Sequence, residues 1–301
     1  MLRPKSIIAG CIVATLLLAG GLAMASAPRD GNHNKVTAKD IIIKAKHAYA
    51  ALSSYSDKGT AVATMGGMNG GAAFTMRTAF SIHLQRPKLY RIHWSQRLFD
   101  GMTGGGAVWS DGRGSFFVMN VDHHEVKKKY SDGQLALAAG AGVSDGASST
   151  IPEIFFGHKK LGDVLDSTNA TLREGKDQAL QGVDCYVVSW HTHPAAGHGK
   201  QPELASSGTT MTLWIDKKNF LIRQVRMLIQ AGHGVPHLSD AEIKKDLAQL
   251  HEPATPAAVA TLRRELKKAS KMRLKGAITF TETHGKIVLD KNLPSADFST
   301  H

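Results

Sequence analysis

The chain has 301 residues, 42% of them apolar and 21% charged, enough to bury a core without disulfide or metal staples and too apolar for wholesale disorder. Two cysteines exclude a disulfide-rich scaffold. Thirty-seven Lys and Arg against 25 Asp and Glu give a net charge of +12, and 15 His add to it in mild acid, a balance that invites a polyanion as partner until the N-terminus is read.

Residues 1–25 have the pattern of an export signal. Arg3 and Lys5 form a basic n-region, Ile7 to Leu22 an apolar stretch, and Ala23-Met24-Ala25 a small-x-small cleavage site. Cleavage after Ala27 would put Pro28 first in the mature chain, so the cut is placed after Ala25. The apolar stretch carries Gly10, Gly20 and Gly21 and falls short of the roughly 20 residues of a lasting anchor. Ile8-Ala9-Gly10-Cys11 matches a lipid-attachment box, giving an anchored lipoprotein as the alternative, but most of the apolar run follows Cys11 rather than preceding it. Export argues against nucleic acid. It also leaves Cys185 alone in the mature chain, where the strand-like run Val183–Val188 makes it a small buried hydrophobe.

Residues 26–36 read as a flexible lead-in. Thr37 and Asp40 then form a capping-box start, and Ile41, Ile42, Ala45, Ala48, Tyr49 and Leu52 recur at helical spacing, predicting an amphipathic helix over 38–53. A strand and loose turn are expected over 59–72. In 74–84 the even positions are Phe74, Met76, Thr78, Phe80, Ile82 and Leu84 and the odd ones Thr75, Arg77, Ala79, Ser81 and His83, a long strand with one apolar face. After Arg86-Pro87, Tyr90, Ile92 and Trp94 alternate with Arg91, His93 and Ser95. Two such strands in succession predict an antiparallel sheet curved around something. Ala107–Ser110, the turn Asp111-Gly112-Arg113-Gly114 and Ser115–Asn120 form the next hairpin, and His124–Tyr130 a further strand.

Residues 133–149 read as a loop or weak helix and 151–165 as a short helical lid. Strands are expected at 168–173, 182–191, 208–216 and 220–230, with a His-rich loop over 192–207. Two basic helices, through about 250 and from Pro256 to about Lys271, form an insertion over 239–272. Strands at 275–283 and 286–290 close the chain. The fold class is α+β: one curved antiparallel sheet covered by helices, with a helical insertion.

No motif of catalysis stands in the context it needs. Gly-x-Ser-x-Gly occurs once, at Gly142-Val143-Ser144-Asp145-Gly146, but inside the Ala-, Gly- and Ser-rich stretch read as a loop or weak helix rather than at a strand-to-helix turn, and there is no phosphate loop and no His-Glu-x-x-His. His191, His193 and His198 share a loop, as do His123 and His124, and His233 and His237. No cysteine and, in the first loop, no carboxylate but Glu203 accompanies them, so they read as solvated imidazoles rather than a metal site. No cofactor is expected.

The order of elements carries a resemblance. An exported chain opens with one amphipathic helix and long alternating strands joined by Arg86-Pro87, followed by Val108-Trp109-Ser110-Asp111-Gly112. Then come Gly182-x-x-Cys-Tyr-Val-Val, Leu213-Trp214-Ile215-Asp216 leading to Leu221-Ile222-Arg223, and Asn292-Leu293-Pro294-x-x-x-Phe298. Over 37–299, apart from the insertion, this resembles the LolA and LolB superfamily of periplasmic lipoprotein carriers, and more closely a less characterised LolA-like, lipoprotein-sorting-type branch. The resemblance implies a single domain built as an unclosed barrel of about eleven strands, whose concave face buries acyl chains beneath movable helices. It implies a non-enzymatic, monomeric periplasmic carrier. The cavity would be lined by Phe74, Phe80, Ile82, Tyr90, Ile92, Trp94, Trp109 and Trp214, with Arg86 latching the lid. The basic insertion departs from that family; read from its own residues, the basic face of 256–272 would meet an anionic membrane surface, helped by its Leu262 and Leu266 side. The contrasting expectation is an envelope interaction or sensory module, with the same face closed as a core.

Overall fold

The computed structural model describes residues 36–66, 73–97, 102–121, 124–141, 144, 150–157, 171–192, 208–230, 239–249, 255–270 and 277–298. The residues read as an export signal and a flexible lead-in lie outside them, except for Val36. Helix α1 spans Ala38–Ala51. Its capping box closes as the sequence requires: Thr37 N–H donates to Asp40 Oδ2 at 3.1 Å and Asp40 N–H to Thr37 Oγ1 at 3.2 Å, satisfying two of the donors that every helix start leaves open.

Six strands then run as a meander: β1 Ser54–Met65, β2 Phe74–Gln85, β3 Leu89–Arg97, β4 Thr103–Ser110, β5 Ser115–Val121 and β6 His124–Tyr130. The β4–β5 turn is held by Asp111 Oδ1, which accepts from Arg113 N–H at 2.8 Å and Gly114 N–H at 3.0 Å, with Gly112 at φ +84°. Helices α2 Gly133–Ala141 and α3 Thr150–Phe156 follow, then short strands β7 Arg173–Glu174 and β8 Gln178–Leu180. A second meander comprises β9 Val183–Thr192, β10 Thr209–Asp216, β11 Ile222–Gln230 and β12 Ala277–Leu289. Helices α4 Asp240–Gln249 and α5 Pro256–Ser270 sit between its last two strands in sequence, and a 3₁₀ turn spans Ser295–Phe298.

The twelve strands form one antiparallel sheet in the order β6-β5-β4-β3-β2-β1-β12-β11-β10-β9-β7, with β8 also on β9. It is not closed: β6 lies at one edge and β7 and β8 at the other. The last strand returns to pair with the first, Tyr55 opposite Leu289 and Thr64 opposite Thr279, so the two meanders meet at the middle of the sheet. Asp290 clamps that junction, accepting from Ser53 N–H at 2.7 Å and Ser53 Oγ–H at 2.9 Å.

Two expected strands differ. Of the strand expected at 168–173, residues 168–170 lie outside the described residues, 171–172 are not in a strand, and β7 is Arg173–Glu174, with Gly175 N–H continuing the pairing to Val187 O at 2.8 Å. The break expected between 283 and 286 is no turn but a β-bulge inside one continuous strand, with register shifting between Ser56 and Lys58 opposite it. A bulge adds a residue without ending the ladder, and Lys286 takes the positive φ of 50° this needs.

One face of the sheet carries the core. Strand β2 alternates buried and exposed along its length, and Ile82, Leu84, Ile92, Trp94 and Val108 meet Ile41, Ile42, Ala45 and Tyr49 of α1 with Ile151 and Phe155 of α3. Each such side chain removed from water contributes about 1.5–3 kcal/mol. The insertion holds its own small cluster, Ile243 and Leu247 of α4 against Val259 and Leu262 of α5. The apolar side of α5 at Leu262 is therefore covered by α4 rather than presented to a membrane. Arg263 and Arg264 are exposed, and Arg263 pairs with Asp240.

Candidate functional site

The concave face divides into two zones along its strands. In the helix-covered zone Phe80, Ile82, Tyr90, Ile92 and Trp94 are all buried, none more than 4% exposed. They are packed against the helices, and Trp94 lies 6.1 Å from Phe117, ring to ring. Trp94 lies over Gly106, its cross-strand partner: a Cβ there would stand 2.6 Å from the indole and 2.2 Å from Val118 O. In the other zone the same face stays apolar but only half-buried. Met65, Phe74, Met76, Met211, Met227 and Phe280 line it, brought side by side by the registers Met65–Phe74, Met211–Met227 and Met227–Phe280. Of the residues expected to line a cavity, only Phe74 belongs to this accessible zone.

Trp109 and Trp214 are corrected in placement: they stand on the outer face. Trp109 is opposite Arg91 and stacks on Phe116 at 5.2 Å and 19°. Trp214 alternates with the buried Leu213 and Ile215 and donates its Nε1–H to Gln178 Oε1 at 2.9 Å. On β4 small residues stand on both faces and give little guidance, whereas on β10 Trp214 shares parity with Thr210 and Thr212, a signal that size overrode. Met211 and Met227, which the sequence reading passed over, were findable from period two, since they share parity with Leu213 and Val225, whose side is buried; Phe280 was not, because its parity partners are Glu282 and His284.

Arg86 joins the helices to the sheet. Its Nε–H donates to Leu52 O at 2.9 Å, and its Nη2 to Tyr49 O at 3.3 Å and Phe155 O at 2.5 Å. The guanidinium also lies 4.7 Å from the centre of the Phe155 ring, a cation–π contact. One side chain thus fastens the C-terminal ends of α1 and α3, where unpaired carbonyls and the negative end of the helix dipole favour a cation.

Between the two zones lies a polar cluster that no sequence motif announced. His284 Nδ1 and Asp57 Oδ2 are 2.6 Å apart, His284 Nε2 and Glu282 Oε1 3.3 Å apart, and Tyr55 Oη–H donates to Asp57 Oδ2 at 2.9 Å. His284 and Asp57 are wholly buried. Burial by itself depresses the imidazole pKa, but the Asp57 and Glu282 carboxylates reverse this and hold it above its ordinary value. Tyr49, whose hydroxyl accepts from Ile222 N–H at 3.2 Å, and Tyr55 are pushed far up, first by burial and then by the Asp57 charge. Both remain neutral. Phe80 packs edge-on to His284 at 5.6 Å, over Gly59, where a Cβ would stand 2.3 Å from the ring.

Of the expected histidines, His191 bonds Thr210 Oγ1 at 2.9 Å, while His123, His193, His198, His233 and His237 lie outside the described residues. Cys185 is buried. No group of three or more potential metal ligands occurs among the described residues, and none of their helices is long and apolar enough to cross a membrane.

No protein-family model and no curated protein sequence matches the chain. Solved structures do. Lipoprotein LppX of Mycobacterium tuberculosis is similar over 86% of this chain and 97% of its own, at 10% identity and a TM-score of 0.40. LprF from Mycobacterium bovis is similar over 85% and 94%, at 11% identity and 0.39. A LolA superfamily protein from Nitrosomonas europaea matches over 88% and 99%, at 12% identity and 0.28. No function is carried over at such values. The unclosed antiparallel sheet with helices on its concave face is nonetheless the architecture the sequence resemblance implied. The fold is an α+β half-barrel: one unclosed antiparallel sheet with helices on one face.

Proposed function

We propose that the protein is a non-catalytic, periplasmic carrier that buries the acyl chains of a lipid or lipoprotein against the half-buried zone of its concave face. The observation that carries this reading is that zone itself: a curved apolar surface of methionine and phenylalanine side chains, continuous with the core but not packed away by it. Methionine suits a surface that must fit chains of varied shape, because its unbranched side chain adapts at little cost. Acyl chains laid there leave water at about 25 cal/mol per Å². Deeper uptake displaces α1 and α3 from Phe80, Ile92 and Trp94, and Arg86 holds those helices down until it happens.

Mass spectrometry of the protein purified from an envelope-containing host without detergent tests the reading. Acylated species near one per chain are expected, and Phe280→Asp, which places a carboxylate among Met227 and Met76, is expected to purify empty with its fold intact. An empty wild-type protein that takes up neither phospholipid nor diacylated peptide would sink the carrier.

Arg86→Leu gives a second prediction. Three carbonyls lose a charged donor, so stability falls by about 1–3 kcal/mol, and amide exchange accelerates in 150–156. Because closure then competes less with uptake, a fluorescent fatty acid binds more tightly to the variant than to the wild type. Equal affinity would show that Arg86 fastens structure without gating anything.

The competing reading, a closed core used as a scaffold for protein contacts, is favoured by the complete burial of Trp94 and Ile92. It predicts the empty protein.

A further inference from the structure

The outer face of the sheet, opposite the acyl-binding zone, carries a concentration of positive charge the carrier reading does not use. Lys58, Ser81 and His93 stand in one cross-strand row on β1, β2 and β3, and His83 and Arg91 stand opposite each other in the next row. Together these five line a hollow of ≈ 300 Å³. Like charges directly across a strand pair repel, so protonation of His83 opposite Arg91 is disfavoured.

Both imidazoles have their pKa lowered, His93 by burial and then Arg91, and His83 by burial, with Arg91 and Lys58 adding to this against Asp297 and Asp57. Asp297, on the 3₁₀ turn, lies at 3.5 Å from His83 Nδ1 and belongs to the rim. Asp57 is on the far side of the sheet. Arg91 Nε is buried and meets no acceptor among the described residues, although buried donors are nearly always paired. A second hollow, of ≈ 440 Å³ and lined by Arg77 and Arg97, lies further along the same strands.

We propose that the hollow lined by Lys58, Ser81, His83, Arg91 and His93 is a binding site for one phosphate group. The residue types favour phosphate over other guests. A guanidinium supplies directional donors, an ammonium a point charge and a serine a hydroxyl, arranged around a space that a tetrahedral anion with several acceptor oxygens fills from more than one side. Neutral imidazoles gain a proton when the anion arrives, because its negative charge offsets the positive charge of Arg91 that otherwise disfavours protonation. A metal cation is disfavoured by Lys58 and Arg91 in the same hollow. The phosphate belongs either to a free solute or to a lipid headgroup.

The test uses the full chain and the imidazole resonances of His83 and His93, followed by NMR during titration with inorganic phosphate. Retention on phosphatidylcholine vesicles with and without phosphatidic acid is measured in parallel. Shifts in both imidazoles with inorganic phosphate are expected, and Arg91→Gln lowers that affinity by about tenfold or more. Should Arg91→Gln fail to fold, the exposed Lys58→Gln serves instead. A response to inorganic phosphate assigns a free-solute site. Retention only on phosphatidic acid vesicles, lost in the same variants, assigns a lipid headgroup. No response to either, or full affinity in a folded variant, overturns the site.

Discussion

Trp94→Asp is expected to abolish the cooperative thermal transition, leaving no folded protein in which binding can be measured. The indole is wholly buried between Phe117 and Gly106, and removing so large a side chain costs about 3–5 kcal/mol in cavity and lost transfer energy. The new carboxylate adds the penalty of an unpaired buried charge, against a total stability of about 5–15 kcal/mol for a domain. Differential scanning calorimetry decides it. A variant that keeps its transition and loses only bound lipid would show that this stretch of the face opens to ligand, extending the binding zone from Phe280 down to Trp94.

His284→Leu is expected to cost about 3–5 kcal/mol, the loss seen when one partner of a buried ionic group is removed and the others stay. Asp57 and Glu282 would remain inside the sheet without their cation. The wild-type protein also has a pH signature here. Because the folded-state pKa of His284 is raised, the native chain holds a proton that the unfolded chain has released. The stabilisation is present in full below the unfolded pKa of about 6.5 and is lost as pH rises through the folded one. Urea midpoints compared at about pH 6 and about pH 9 should fall for the wild type, and the contribution of His284 to that fall should vanish in the variant. An unchanged slope would mean that His284 is neutral in the fold throughout.

The legibility of these features in the sequence follows their range. Helix α1 and strand β2 were readable because capping at Thr37 and alternation from Phe74 to Leu84 are local, and the buried face of β2 followed from parity alone. Trp109 defeated the same method: its strand, Thr-Gly-Gly-Gly-Ala-Val-Trp-Ser, has only the terminal Thr103 to mark the outside, and Phe116 opposite supplies an apolar neighbour there. The polar cluster was invisible for another reason. Asp57 and His284 are 227 residues apart, and no local pattern joins them. Only the pairing of β1 with β12 brings Glu282 and His284 beside Asp57. Arg86 as the fastening of α1 and α3 came from the family resemblance, since nothing in Arg-Pro itself names the carbonyls of Leu52, Tyr49 and Phe155.

The return of β12 to β1 has a kinetic consequence. Six strands of the first meander pair with their neighbours in sequence and can assemble in turn, but the free edge of β1 waits for a partner more than two hundred residues downstream. Closing so long a loop adds only a logarithmic entropy cost, yet non-local pairing of this kind places the chain among slow, high-contact-order folders. Until β12 arrives, β1 is an open edge carrying an apolar face, able to pair with another chain. The seam that buries the Asp57–His284 pair is therefore also where the longest-range pairing of the sheet covers an otherwise open edge.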